Sequence, residues 1–324
     1  MPVLIGTDEA GYGPNLGPLV ITAVTWMLPD GTKPADLPQL LADVISDKAD
    51  RQHRTLQIAD SKQVYQAGKS LQNLELGVLA FLRTMKIDPP DLSALGKFLA
   101  SSTFAAGYQA LCGTDTLGDV QLPQTDCQPV VDDIAARLSD ALKRTGIVCS
   151  KIESRIMFAE EFNRLVDATG SKGVVLSEAT LKLVRSAVDA ARGGPHAKQA
   201  EAGWVVCDKH GGRNRYDGLI SDAFDDELVF RIQESRPSSR YRASNLEFCF
   251  RTKAEELMPV ALASMVSKYV RELTMGQFNR FWQSQVSDLK PTKGYPVDAL
   301  RFWEAIEGEV DSLGLAKDTL WRKK

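Results

Sequence analysis

Apolar and polar positions along this chain switch between a period of two and a helical period, and the switches mark out its elements. Val3–Ile5 is a short apolar run that reads as a buried strand. Leu19–Leu28 (LVITAVTWML) is β-rich and apolar on both faces, which predicts a central strand. A short helix is predicted over 39–46. Leu71, Leu74, Val78, Phe81 and Met85 recur at helical spacing, and Asp88-Pro89-Pro90 stops that helix. A short helix near 92–100 precedes Pro129, which opens another with Val131, Ile134, Leu138 and Leu142 on one face and Gly146 at its end. Ile147–Ser150 reads as a strand. Helices follow near 157–169 and 178–192, the second N-capped by Ser177 and closed by Gly193-Gly194-Pro195. Trp204–Cys207 is a strand with Asp208 at its C-terminal end, and Glu227–Ile232 and Leu246–Arg251 alternate like the two arms of a hairpin. Pro259 begins a long helix with Val260, Ala263, Val266, Val270 and Leu273 inward. Pro291–Pro296 is a rigid loop, and a last helix covers 297–312. Strands mixed with helices, and acids at strand ends, point to an α/β fold with its site at one sheet edge.

Composition narrows the class. The 324 residues are 44% hydrophobic and 25% charged, as in an ordinary globular protein with a real core. Net charge is 39 − 42 = −3, so any basic surface is local. Five cysteines at 112, 127, 149, 207 and 249 are scattered without a CxxC pair, which fits free thiols in a reducing cytoplasm. No apolar run reaches the roughly 18–20 residues of a membrane helix, and no basic-then-apolar signal pattern opens the chain. Three histidines leave little for a His-based metal site.

The chemistry concentrates at the start. Asp8 and Glu9 follow the first apolar run and are succeeded by Gly11, Gly13 and Gly17 with Pro14 and Pro18. Successive strand side chains point to opposite faces, so both acids serve one site only if the strand breaks there, which the glycines permit. Two adjacent like charges repel unless a cation sits between them, and Mg²⁺ or Mn²⁺ prefers carboxylate oxygen. Asp208 and Glu255 also lie at or just after expected strand ends. Four carboxylates without histidine suit Mg²⁺ or Mn²⁺ rather than zinc. Two such ions about 3.5–4 Å apart can activate water and stabilise the leaving oxygen of a phosphodiester.

The motifs carrying these acids resemble those of the type 2 ribonucleases H, the ribonuclease HII and HIII family. The opening D-E-x-G-x-G-P and second G-P match Gly6–Pro18. D-S-K matches Asp60-Ser61-Lys62, and the third acid matches Asp208. The A-A-S-x-x-A-K-x-x-R helix matches Leu262–Arg271, K-G-Y-P matches Lys293–Pro296, and T-K-x-E of the HIII branch matches Thr252–Glu255. The matches fall in the family's order over residues 1–86 and 147–310. The resemblance implies a ribonuclease H-like mixed sheet flanked by helices. It implies one catalytic domain over 1–324, with a mainly helical insertion at 88–146 and a helical region at 259–324. It implies an endoribonuclease that cuts the RNA strand of RNA–DNA hybrids, or DNA containing ribonucleotides, leaving a 3′-hydroxyl and a 5′-phosphate. Asp8, Glu9, Asp208 and Glu255 would hold two Mg²⁺ or Mn²⁺ ions, with Glu256 as the alternative fourth acid. The backbone of Gly11-Tyr12-Gly13 would lie against ribose 2′-hydroxyls. Lys62 would meet a phosphate, and Tyr295 would stack on a sugar. Two departures stand out: Tyr12 replaces the family's usual Arg or Lys, and the 88–146 segment is far longer than usual.

Other residues divide between roles. Lys209-His210-Gly211-Gly212-Arg213 is a basic loop after Asp208, with Lys209 and Arg213 as phosphate contacts or parts of a solvated turn. Lys268 and Arg271 lie one helical turn apart and either meet phosphate or pair with Glu272; Lys293 joins the substrate-contact set. Arg236, Arg240 and Arg242 read as a solvated hairpin tip. Two other functions stay open: a nuclease of the same fold acting on branched or single-stranded DNA, with Tyr12 marking lost ribose selection, and a non-catalytic nucleic-acid-binding protein.

Overall fold

The computed structural model describes residues 1–66, 69–100, 103–112, 120–193, 202–225 and 227–323. In order they form β1 (Val3–Ala10), β2 (Leu19–Met27), α1 (Leu37–Leu40), β3 (Ile45–Ser46), β4 (Leu56–Gln57), α2 (Ser61–Val64) and α3 (Gln72–Thr84). Next come α4 (Leu92–Ala100), α5 (Thr103–Cys112), α6 (Gln128–Thr145), β5 (Val148–Met157), α7 (Ala159–Thr169), α8 (Lys172–Gly193) and β6 (Gly203–Asp208). The rest are α9 (Asp217–Ala223), β7 (Val229–Glu234), β8 (Ser238–Ala243), β9 (Leu246–Arg251), α10 (Met258–Gln285), α11 (Pro296–Ser312) and α12 (Lys317–Leu320).

Seven strands make one mixed sheet in the order β5-β2-β1-β6-β9-β8-β7, flanked by helices, while β3 and β4 pair separately. β1, β6 and β9 run parallel, so their C-terminal ends share one edge of the sheet. α10 packs on β1 and β2 from one side, and α8 covers β1, β2 and β5 from the other. Leu4, Val20, Val24 and Trp26 enter the α10-side core; Val3, Ile5, Ile21 and Ala23 enter the α8-side core. Covering on both faces explains why β2 reads as a continuous apolar run. Trp26 meets Phe81 of α3 edge-to-face at 5.5 Å, tying that helix to the same layer.

Among the described residues of 88–146 the structure has the helices α4, α5 and α6. The segment's anchor is Glu75 of α3, a fully buried carboxylate. Glu75 accepts from the backbone N–H groups of Gln124 and Thr125, the Thr125 hydroxyl and, at 2.7 Å, the Tyr269 hydroxyl of α10. Donors on all sides are what a buried carboxylate requires.

Four expectations are corrected. β1 does not break at Asp8 but runs on to Ala10, because β2 stays paired with it through Ala10↔Val20. The short helix expected over 39–46 stops at Leu40. Ser177 is not a cap: α8 begins at Lys172, and Ser177 Oγ donates back to the Gly173 carbonyl at 2.8 Å. Glu227–Ile232 and Leu246–Arg251 are not hairpin partners, since β8 lies between β7 and β9. Arginines at alternate positions hid β8, whose Ser239, Tyr241 and Ala243 point inward. Arg240 and Arg242 are therefore strand residues and only Arg236 sits in a turn, with Arg240 paired to Glu247. The expected stop at Gly194-Pro195 lies outside the described residues. Among those residues, no helix is long and apolar enough to cross a membrane.

The approach of α10 to β1 sets a size limit. A Cβ on Gly6 would collide with the Pro259 backbone, whereas exposed Gly308 in α11 has open space around it. Gly6→Ala is therefore expected to cost about 1–3 kcal/mol by forcing α10 outward. Gly308→Ala should stabilise by roughly 0.5–1 kcal/mol. Urea unfolding of both variants checks the contrast; an unaffected Gly6→Ala would contradict the close approach.

Candidate active site

The first half of α10 carries polar residues at Ser264, Ser267, Lys268, Arg271 and Glu272, a helical spacing that puts them on one face. Each reaches a different segment. Ser264 Oγ and Ser61 Oγ lie 3.0 Å apart, and the Ser264 hydroxyl donates to the Asp8 carboxylate. Ser267 Oγ bonds Thr22 Oγ1 at 2.7 Å and lies 3.2 Å from the Asp8 carbonyl. Arg271 donates to the carbonyls of Leu16 and Lys293. Glu272 accepts from Lys268 at 2.7 Å, Lys293 at 2.5 Å and the Tyr65 hydroxyl at 3.0 Å. The segments 8–18, 60–65 and 293–296 thereby converge on one helix.

Asp8 and Asp208 belong to neighbouring parallel strands whose pairing runs to Thr7↔Cys207, one residue before each. Alternation sends both toward α10 and sends Glu9 to the opposite face. Burial, added to the charges of Asp208 and Glu255 and opposed by the Ser264 hydrogen bond, pushes Asp8 up to about 7. Burial, then Asp8 and Asp208, raises Glu9 well above the carboxylate range. Burial also raises Asp208, against hydrogen bonds from the Ala254 and Lys209 amides, and Glu255, which feels Asp208 and Asp60. Burial works against a charged Lys62, but Asp60, Glu255, Asp8 and Asp208 outweigh it and raise its pKa. Lys62 is thus an exposed cation that feels the charge of these acids. Glu256 instead pairs with Arg251 at 3.0 Å. Lys253, before Glu255, adopts the left-handed conformation (φ 57°) that costs a non-glycine residue energy. Its side chain lies between a cleft of about 300 Å³ lined by Asp60 and Glu255 and one of about 510 Å³ lined by Asp208 and Arg236.

The four acids are electrostatically coupled but not gathered into one coordination shell. Among the described residues, no three His, Cys, Asp or Glu side chains stand ready to hold a metal ion. Unbroken β1 is one reason, since it separates Asp8 from Glu9; mutual repulsion is the other. The donor chemistry nonetheless fits a hard divalent cation. The acids that raise one another are all carboxylates, and His210 is turned away into a buried contact with Ser177 at 3.0 Å. Asp8 and Asp208 are the pair that would hold the ion, with Glu255 coupled to both.

The expected substrate contacts divide. Tyr295 is 56% exposed and its ring faces Gly13. The two loops are joined where the Asn15 N–H donates to the Gly294 carbonyl at 2.7 Å. Gly11 (φ +90°) backs onto Arg271, which leaves no room for a side chain. Tyr12 leans away from this groove, with the Lys172 ammonium 4.8 Å from its ring centre and its hydroxyl near Gly211. Lys209 does not reach outward as expected. Its ammonium is buried against Asn214 Oδ1 (2.6 Å), the Ser235 carbonyl (2.8 Å) and Ser239 Oγ (3.2 Å), so it holds the loop together. Lys268 and Lys293 are held by Glu272 yet keep part of their surface, and Arg213 is half-buried in the loop after Asp208. Asp60, Ser264 and Ser267 were not singled out as site residues. The polar periodicity of α10 was the available signal for the serines; Asp60 also caps α2 by accepting from the Lys62 N–H at 2.9 Å.

No family model and no curated protein matches the chain. Among solved structures it is similar to Bst-RNase HIII in complex with Mn²⁺, at 16% identity and a TM-score of 0.42. That match covers 99% of this chain and 66% of the other, just under two thirds of its length. The RNase HII of Archaeoglobus fulgidus, solved as a PCNA complex, gives 13% identity, coverage of 99% and 94%, and a TM-score of 0.40. Ribonuclease H2 of Pyrococcus horikoshii OT3 gives 13% identity, coverage of 98% and 92%, and a TM-score of 0.43.

A carboxyl raised from 3.8 to about 7 keeps a proton in the folded state that the unfolded chain gives up. Without metal, its contribution makes stability fall as pH rises between those two values. Asp8→Asn removes that loss. In metal-free buffer the variant should melt higher than the wild type at pH 8, with the gap closing toward pH 4. A gap independent of pH would contradict the burial of an ionisable Asp8 among like charges.

Proposed function

We propose that this chain is a divalent-metal-dependent endonuclease that hydrolyses the RNA strand of RNA–DNA hybrids, working as one catalytic unit to which the 88–146 helices are an addition. The observation that carries the reading is the placement of Asp8 and Asp208 on adjacent parallel strands, each one residue past their last paired rung, electrostatically coupled to Glu9, Glu255 and Lys62. It is supported by the meeting of the glycine-loop, D-S-K and K-G-Y-P motifs around one face of α10. It is supported also by the carboxylate-only chemistry of the site, which suits Mg²⁺ or Mn²⁺.

When bound, such an ion supplies a nucleophilic water and neutralises charge on the phosphate. The residues of the chain do the rest. Asp8 and Asp208 hold their carboxylates on one face, oriented by Ser264 and by the Ala254 amide. Lys62 keeps a positive charge beside them and is placed to meet a non-bridging phosphate oxygen. The exposed Tyr295 ring beside Gly13 offers a flat face to a sugar, and the Gly11–Gly13 backbone offers its amides to ribose hydroxyls.

The purified protein should cut a hybrid in Mg²⁺ or Mn²⁺, leave an all-DNA duplex intact and lose activity in EDTA. Asp8→Asn should fall at least about a hundredfold, as expected when charge complementary to the transition state is lost. Cleavage of the all-DNA duplex or of a single strand instead of the hybrid would overturn the substrate assignment. Normal cutting by Asp8→Asn would overturn the site.

A further inference from the structure

Two guanidinium groups lie behind the glycine loop, and no carboxylate pairs with either among the described residues. Arg271 is 2% exposed and Arg322, just after α12, is 1% exposed. Their partners are main-chain carbonyls. Arg271 donates to Leu16 at 3.2 Å and Lys293 at 3.1 Å, and Arg322 Nη2 donates to Gly11 and, at 2.5 Å, to Pro14. Arg322 is itself fixed by backbone bonds with Asn15, by a strand-like bridge between Leu16 and Trp321, and by the Phe162 ring 5.0 Å from its guanidinium. Among the described residues, Arg271 Nε and Arg322 Nε and Nη1 have no hydrogen-bond partner. A Cβ on Gly11 would sit 2.5 Å from Arg271 Nε, so Gly11 touches Arg271, and its carbonyl accepts from Arg322. Burial, with Arg271 adding to it, lowers Arg322 to about 9.

Arg271 gains some relief from the charge of neighbouring Glu272, whereas the burial of Arg322 is opposed by Arg271, which makes it costly. Both groups touch the main chain of the loop, and buried charges at such short range are little screened. The outer side of that loop is the surface assigned above to the substrate backbone.

We propose that Arg271 and Arg322 form a buried cationic layer that charges the Gly11–Gly13 loop for a phosphodiester, with Arg322 as a positioning residue that also fixes the loop's curvature. The inference rests on the reading of this site as one that binds a nucleic-acid backbone. It explains how position 12 can hold a tyrosine: the loop's positive charge comes from behind it.

The test measures binding of a labelled RNA–DNA hybrid and an all-DNA duplex of the same sequence, in Ca²⁺, at several salt concentrations. Arg322→Met keeps most of the packing and removes the charge; Arg322→Lys keeps the charge and loses the forked bonds. Folded Arg322→Met should bind duplex about tenfold more weakly with a shallower salt dependence, while Arg322→Lys stays within about threefold of the wild type. Wild-type affinity in folded Arg322→Met, or equal losses in both variants, would overturn the proposal. Should Arg322→Met fail to fold, Arg322→Lys decides: near-normal affinity supports a role for the charge and a tenfold loss contradicts it. A wild type that prefers the all-DNA duplex, with Arg322→Met still weakened, removes the substrate reading and leaves the charged loop standing. A wild type that binds neither duplex removes both.

Discussion

A buried helix face bearing polar groups must find partners for them, and in this protein that requirement assembles the site. Ser264, Ser267, Lys268, Arg271 and Glu272 are all largely screened from water on α10. Their partners are supplied by the β1 end, the glycine loop, the 60–65 segment and the 293–296 loop. A buried donor or acceptor without a partner costs roughly 1–3 kcal/mol, so each segment is held in place by the penalty for leaving. Gly6 lets α10 come close enough for these bonds to form.

What the helix gathers is electrostatically unfavourable on its own. Carboxylates whose proton affinity is raised by burial, and further by one another's charge, destabilise the metal-free fold near neutral pH. The same repulsion is relieved by a divalent cation, so the interactions that weaken the apo protein are those that would bind the ion. Lys62 relieves part of it from within. The glycine loop shows the opposite imbalance, with positive charge buried behind it. Acids on one side and cations on the other suit a ligand that is a phosphate accompanied by a metal ion.

Much of this was legible in the residues. The helical spacing of Leu74, Val78 and Phe81 and the two-faced apolar run of β2 became α3 and a central strand. Asp208 stands where the end of an apolar strand placed it. Less legible was what depends on pairing. The glycines after Glu9 suggested a break, but the ladder with β2 carries β1 past both acids and parts their side chains. β8 was hidden because its outward residues are arginines rather than small polar groups. Lys209 looked like a surface cation because nothing local shows that Ser235, Ser239 and Asn214 enclose it. Arg322 left no local signal, since its partners lie more than 300 residues away.

The central claim is that Asp8 and Asp208 are two sides of one divalent-ion site. Anomalous diffraction from crystals soaked in Mn²⁺ tests it most directly. The expected result is a manganese peak contacted by both carboxylates, with Glu255 turned toward it. A peak elsewhere, or an Asp8–Asp208 pair that stays empty at saturating Mn²⁺, would contradict the claim.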